Sequence, residues 1–293
     1  MTLDKPLIID THLHLWRQEL AERSWLTAQM KPWYRAFEPS DFEQASASTG
    51  VRAGVLVEAG KTRQENDEMQ RMAGSSSKIA AFMPHADLDD PGLGEQLDRW
   101  QQDPKFRGVR MGFENHADPD ILKRPGVIEG LREIARRDLI FEILVRVPHL
   151  QDVVAIYETI PHLRGVVEHL AKPDLATDGE RDEWQRGMAA LAMHTSVHAK
   201  LSLSPRGEEV PDLLKGKKPG WPVAKLRPYV QVMIDHFGPG RLMWGSDWPI
   251  ALATTDYPGI WATMQGLLSH LSPADLAKVN GGTANQFYRL DLE

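Results

Sequence analysis

Short runs of β-branched and apolar residues return along the whole chain, and most are followed by a stretch whose apolar positions recur at helical spacing. That alternation is the pattern of repeated strand–helix units, which assemble into a parallel sheet. Eight runs can be placed, at Leu7–His14, Ala53–Glu58, Ile79–Met83, Arg107–Met111, Leu139–Val145, Leu163–His169, Val197–Leu203 and Arg241–Ser246. Between them Gly130–Arg137 and Asp182–His194 read as helices, and Tyr229–Phe237 puts Val230, Met233, Ile234 and Phe237 on one stripe. Gly238, Pro239 and Gly240 then end that helix and turn the chain into the last strand. The expected architecture is α/β: one (β/α)8 TIM barrel, regular or distorted, spanning residues 1–293 as a single domain. Its active site should lie at the C-terminal ends of the strands.

Two stretches break the rhythm. Ser204–Pro222 carries Gly, Pro and Lys without periodicity and reads as a long loop over the active-site face. Residues 16–39 hold Trp16, Trp25, Trp33, Tyr34 and Phe37, which would either roof a pocket or pack the side of the barrel.

Composition narrows the function. At 293 residues the length suits one barrel or two ordinary domains, and no linker divides the chain. With 34 Lys and Arg against 41 Asp and Glu the net charge is −7, and no basic cluster marks a nucleic-acid or anionic-lipid surface. A small-molecule substrate is the expected partner. The absence of cysteine removes disulfides, thiolate ligands and a Cys nucleophile, so any metal must be held by His and carboxylate. Residues Met1–Ile9 lack a basic start, a long apolar stretch and a small-residue cleavage site, and no apolar run approaches the ~18 residues of a membrane span. The expectation is a cytoplasmic protein, with Trp261 as an aromatic that would suit a homodimer surface.

The strongest local signal is Ile8-Ile9-Asp10-Thr11-His12-Leu13-His14, an apolar run ending in two histidines with one residue between them. Alternate side chains of a strand share a face, so both imidazoles would point into the barrel at its catalytic end. Convergent neutral imidazoles suit Zn, Fe, Ni or Co rather than Mg or Ca; the alternative is a hydrogen-bonded pair in a polar mouth. Val166-Val167-Glu168-His169 offers a third inward imidazole, or a structural histidine. Arg241–Asp247 ends an apolar strand at a carboxylate beside a Gly-Ser turn, with Pro249 stopping the strand; Asp247 is a ligand or an ordinary capping or ion-pairing residue. Arg110 and Arg146, at the ends of the fourth and fifth runs, offer planar forks for a substrate carboxylate or hydroxyls, or are solvated surface residues. His85, after the third run, is a further imidazole within reach of the pocket or a loop histidine.

These motifs together resemble the amidohydrolase superfamily, in its lactonase and decarboxylase branch of metal-dependent barrel hydrolases. The resemblance runs from the His-x-His strand through Gly108-Val109-Arg110, Phe141–Val145, Glu168–Pro173 and Lys200-Leu201-Ser202 to Gly245-Ser246-Asp247-Trp248-Pro249. It implies one divalent metal, zinc first with Mn, Fe or Co as alternatives, held by His12, His14, His169 and Asp247. The branch also includes metal-independent lactonases. The resemblance further implies that Asp247 and His169 are catalytic, with Asp247 handling the proton of the attacking water. Arg110, Arg146, His85 and Trp248 are the expected substrate-binding residues, and the resemblance around Lys200 and Trp248 leans towards a lactonase. Glu142 and Glu168 stand where aspartate is commoner, Leu203 where glycine is usual and His149 where glutamine is frequent. Opening of a small carboxylic or sugar lactone is the leading expectation. Non-oxidative decarboxylation of an unsaturated or aromatic acid is the second, and a silent metabolite-binding barrel the third.

Overall fold

The structure, a computed structural model, describes residues 6–293 apart from 176, 178 and 205–220. Eight strands run parallel in sequence order: β1 Ile9–Leu13, β2 Ala53–Val57, β3 Ile79–Met83, β4 Gly108–Gly112, β5 Ile140–Leu144, β6 Arg164–Val167, β7 Val197–Leu201 and β8 Leu242–Trp244. Regular pairing joins β1 to β3 and β4 to β8. Looser bonds close the two seams between these sheets. At one, Arg110 N–H donates to Pro84 O and Ala86 N–H to Arg110 O. At the other, Asp247 N–H donates to His12 O and His14 N–H to Trp248 O, both at 2.8 Å. The fold is a (β/α)8 barrel with an irregular ring of strands.

The eight expected runs coincide with the eight strands, but two strands stop short of their chemistry. β6 ends at Val167 rather than His169, and β8 at Trp244 rather than Ser246. The three expected helices appear as Pro125–Arg136, Arg181–Ala192 and Val223–Phe237. The first starts earlier than expected because Pro125 suits the first turn, and the last runs through Pro228, which its context tolerates. Most of the loop expected at Ser204–Pro222 lies outside the described residues. Trp16 and Phe37 pack edge to face in the main core, 4.8 Å between centroids, so that part of the aromatic stretch covers the barrel's side. Trp261 is half-buried, packed at 4.8 Å on Trp244, rather than exposed. No helix among the described residues is long and apolar enough to cross a membrane.

Inside the ring the side chains form layers. Ile9, Val55, Met83, Ile140, Val166 and Met243 make an apolar floor closed from below by Phe287 and Tyr288. Above it each of four successive strands offers one inward ionic group: Arg110 on β4, Glu142 on β5, Glu168 just after β6 and Lys200 on β7. β1 reaches the mouth by a register shift between Asp10 and Leu13, where one extra residue is inserted relative to β2. Ile9 therefore joins the inner floor and Asp10 turns out to the Tyr257 hydroxyl, yet His12 and His14 still face in.

His198 stands two residues below Lys200 on β7, its ring 4.2 Å from Phe287. Burial, then the nearby Arg241 charge, push its pKa down to about 4. Between about pH 6.5 and about 4 the unfolded chain binds a proton that the native state refuses, so stability falls as pH falls through that window. The loss expected from this group is about 3 kcal/mol, and His198→Gln should flatten the dependence in denaturant titrations at pH 4.5 and 7.

Candidate metal centre and active site

Four donors converge at the mouth. His12 Nε2 lies 3.1 Å from His14 Nε2 and 3.6 Å from Asp247 Oδ1. His14 Nε2 is 3.2 Å, and His169 Nε2 3.8 Å, from the same Oδ1. Donors about 2.0–2.1 Å from a tetrahedral zinc are about 3.3–3.4 Å apart, close to these separations.

The local structure explains the convergence. Gly245 lets the chain after β8 press against β1, since a Cβ there would sit 2.8 Å from His12 Cβ. Asp10 ties the same seam, accepting from His12 N–H and Ser246 N–H through Oδ1. Asp247 then adopts φ 56°, a left-handed conformation that aspartate tolerates better than most residues. His169 is reached by a rarer device: it, Leu170, Ala171 and Lys172 all have positive φ, between 46° and 58°, forming one left-handed turn. Each non-glycine residue in that conformation costs about 1–2 kcal/mol, so the turn persists because its surroundings hold it. Trp184 Nε1–H donates to Leu170 O at 2.6 Å, Ser202 Oγ meets His169 Nδ1 at 2.9 Å, and Lys172 pairs with Glu114 at 2.7 Å.

The outer nitrogens fix which face of each ring is presented. His14 Nδ1–H donates to Val57 O at 3.0 Å, leaving Nε2 to the centre. His12 Nδ1 is 3.2 Å from Glu168 Oε1 and 3.1 Å from Lys200 Nζ. We assign the Nδ1 proton to the Glu168 contact, because an ammonium and an N–H cannot donate to each other and Lys200 already has Glu142 Oε1 at 2.7 Å.

Electrostatics match a cation site. Burial, with lesser contributions from Lys200 and His14, holds the His12 pKa well below its usual value against the pull of Glu168. His169 is likewise lowered, first by burial and then by His12, Lys172 and Arg110. Both rings are therefore neutral, as ligands must be. Burial alone would raise the Glu168 carboxyl, but Arg110, His12 and Lys200 outweigh it and hold it well below the carboxylate range. Glu142 is pushed up to about 8, chiefly by burial and against the attraction of Lys200. Asp247 is 1% exposed, and its Oδ2 meets no hydrogen-bond partner among the described residues. A buried carboxylate amid neutral imidazoles, with one oxygen unsatisfied, fits a divalent cation.

The centre opens into a cavity of about 450 Å³ lined by His14, His169 and Asp247, by Arg110, Lys172, Glu58 and Glu114, and by Trp25, Met30 and Trp33. Two of the five aromatics in that stretch, Trp25 and Trp33, thus do face a pocket. Arg110 is 7% exposed, its Nε donating to Glu58 Oε1, Nη2 to Glu58 O and Nη1 to Glu168 Oε2. Arg146 lies further out, its Nη2 3.1 Å from Asn115 Oδ1 on the cavity wall. Trp248 is 2% exposed and packs on Phe37 and Phe42, away from the cavity lining. His85 lines a separate pocket of about 350 Å³ with Lys61, Asp87 and Trp100.

Sequence reasoning assigned no role to Glu58, Glu114, Lys172 or Ser202. For Ser202 a signal existed, since it continues the inward alternation of Lys200 at the end of β7. Glu114 and Lys172 lie in turns, whose geometry no periodicity reports.

The family model for amidohydrolases matches residues 9–290. An L-fucono-1,5-lactonase of Burkholderia ambifaria is 34% identical over 97% of this chain and 96% of its own length. An L-fucono-1,5-lactonase of Burkholderia multivorans is 29% identical over 97% and 96% respectively. Among solved structures, a zinc-bound amidohydrolase of Burkholderia multivorans superposes with a TM-score of 0.86 at 28% identity, covering 97% of this chain and 99% of that one. From the His-x-His strand to the carboxylate after the last strand, the chain belongs to the amidohydrolase family.

Proposed function

We propose that this enzyme hydrolyses the lactone of a sugar acid, a six-membered aldonolactone of the kind its L-fucono-1,5-lactonase relatives are named for. The observation that carries the reading is the gathering of His12, His14 and His169 around Asp247, each Nε2 within 3.8 Å of its Oδ1 beside an open cavity, with Oδ2 unpartnered among the described residues. These four residues would hold a divalent ion, zinc by the fit of the donor set, which would supply Lewis acidity and lower the pKa of the attacking water from ~15.7 towards ~7. Asp247 is the base: its free oxygen takes the proton of the attacking water and returns it to the ring oxygen as the acyl C–O bond opens. His169, anchored through Ser202, holds the water's position beside that carboxylate. Arg110 donates its remaining N–H groups to the substrate's oxygens, and Trp25 and Trp33 offer apolar surface to the ring.

The test is metal content and turnover on a panel of aldonolactones. We expect about one divalent ion per chain, acid release from at least one lactone, and more than tenfold loss of rate on chelation, restored by zinc. Carbon dioxide release from a hydroxybenzoate with no lactone opened would move the assignment to decarboxylation. Full lactone turnover by metal-free protein would leave the lactonase reading and remove the ion from it.

A further inference from the structure

The charges on the cavity wall bear on which lactones fit. Two cationic side chains line it among the described residues, Arg110 and Lys172, and both are already engaged by carboxylates of the protein. Arg110 is held by Glu58 and Glu168 at 2.9 and 3.0 Å. Lys172, at the end of the left-handed turn, is held by Glu114 at 2.7 Å, with 7% of its side chain exposed and 18% of Glu114's. Glu58 and Glu114 also line the cavity, so among the described residues, metal donors aside, the carboxylates on the wall match its two cations.

Resting on the lactonase reading above, we propose that the Glu114–Lys172 pair is a specificity filter that admits lactones with uncharged hydroxyl substituents and rejects those bearing a carboxylate. A substrate carboxylate would have to displace Glu114 from Lys172 while lying near Glu58, a like-charge arrangement that disfavours binding. A hydroxyl meets no such opposition, since it accepts from Lys172 and donates to Glu114 at once.

Two substitutions move the filter in opposite directions. Glu114→Gln frees the Lys172 charge, and Lys172→Gln leaves Glu114 bare. The probes are a neutral aldono-1,5-lactone and a carboxylate-bearing aldarolactone, each assayed for kcat/KM. The parent should prefer the neutral lactone. Glu114→Gln should shift the ratio towards the acidic lactone by roughly tenfold or more, and Lys172→Gln should shift it the other way. Ratios within twofold of the parent in both variants, or a parent that prefers the acidic lactone, would overturn the filter while leaving the lactonase reading intact. A parent that opens neither lactone would sink that reading instead. If Glu114→Gln does not fold, as judged by circular dichroism, the Lys172→Gln ratio decides alone.

Discussion

Asp247→Asn is expected to lower kcat on the best lactone by about a thousandfold, within the 10²–10⁴ range of a lost general base, while thermal stability changes little. Asparagine has the same shape and accepts the left-handed backbone that Asp247 adopts at φ 56°, so the β8–β1 seam should be undisturbed. What disappears is the charge on Oδ1, which lies within 3.8 Å of all three imidazole Nε2 atoms, and the basicity of the unpartnered Oδ2. Metal content and turnover should be measured together. A variant that retains its metal and loses less than tenfold in kcat shows that another group takes the water's proton.

Lys200→Met should be the most destabilising single change near the site, costing about 3–5 kcal/mol in denaturant unfolding, as loss of one partner of a buried ionic network does. Lys200 is fully buried, with Nζ 2.7 Å from Glu142 and 3.5 Å from Glu168. Tyr288 donates to the same Glu142 oxygen at 2.7 Å, so the ammonium also links the catalytic mouth to the C-terminal helix that plugs the floor. Methionine fills the space but leaves Glu142 and Glu168 facing each other. Adding Glu142→Gln should recover a large part of the loss, because it removes one of the two carboxyl groups that the ammonium bridges. Strict additivity of the two costs would show that Lys200 stabilises by packing and not by charge.

The barrel was legible in the sequence because buried parallel strands read as apolar runs, and all eight stood clear of polar flanks. Alternation alone put His12 and His14 on one face, although it could not show the extra residue in β1 that turns Asp10 out to Tyr257. The inward charges Arg110, Glu142 and Lys200 were legible in the same way, as ionic residues inside apolar runs, but their pairing across strands depends on register around a closed ring. His169 and Asp247 were found at the ends of runs for a partly mistaken reason. Neither belongs to a strand; each is delivered by residues of positive φ, and nothing in Glu168-His169-Leu170-Ala171-Lys172-Pro173 contains a glycine to announce such a turn. Trp248 was placed near the substrate by its neighbourhood in the chain, whereas its indole is directed into the aromatic core behind Asp247.

The left-handed turn makes His169 and Lys172 the two ends of one stiff backbone unit, pinned between Trp184 and Ser202. Any backbone adjustment that re-aims the lysine at a new ligand therefore drags the imidazole with it. New substrate preferences should accordingly arise by exchanging side chains on the opposing wall, at Glu114 or Glu58, sooner than by reshaping the segment that carries both.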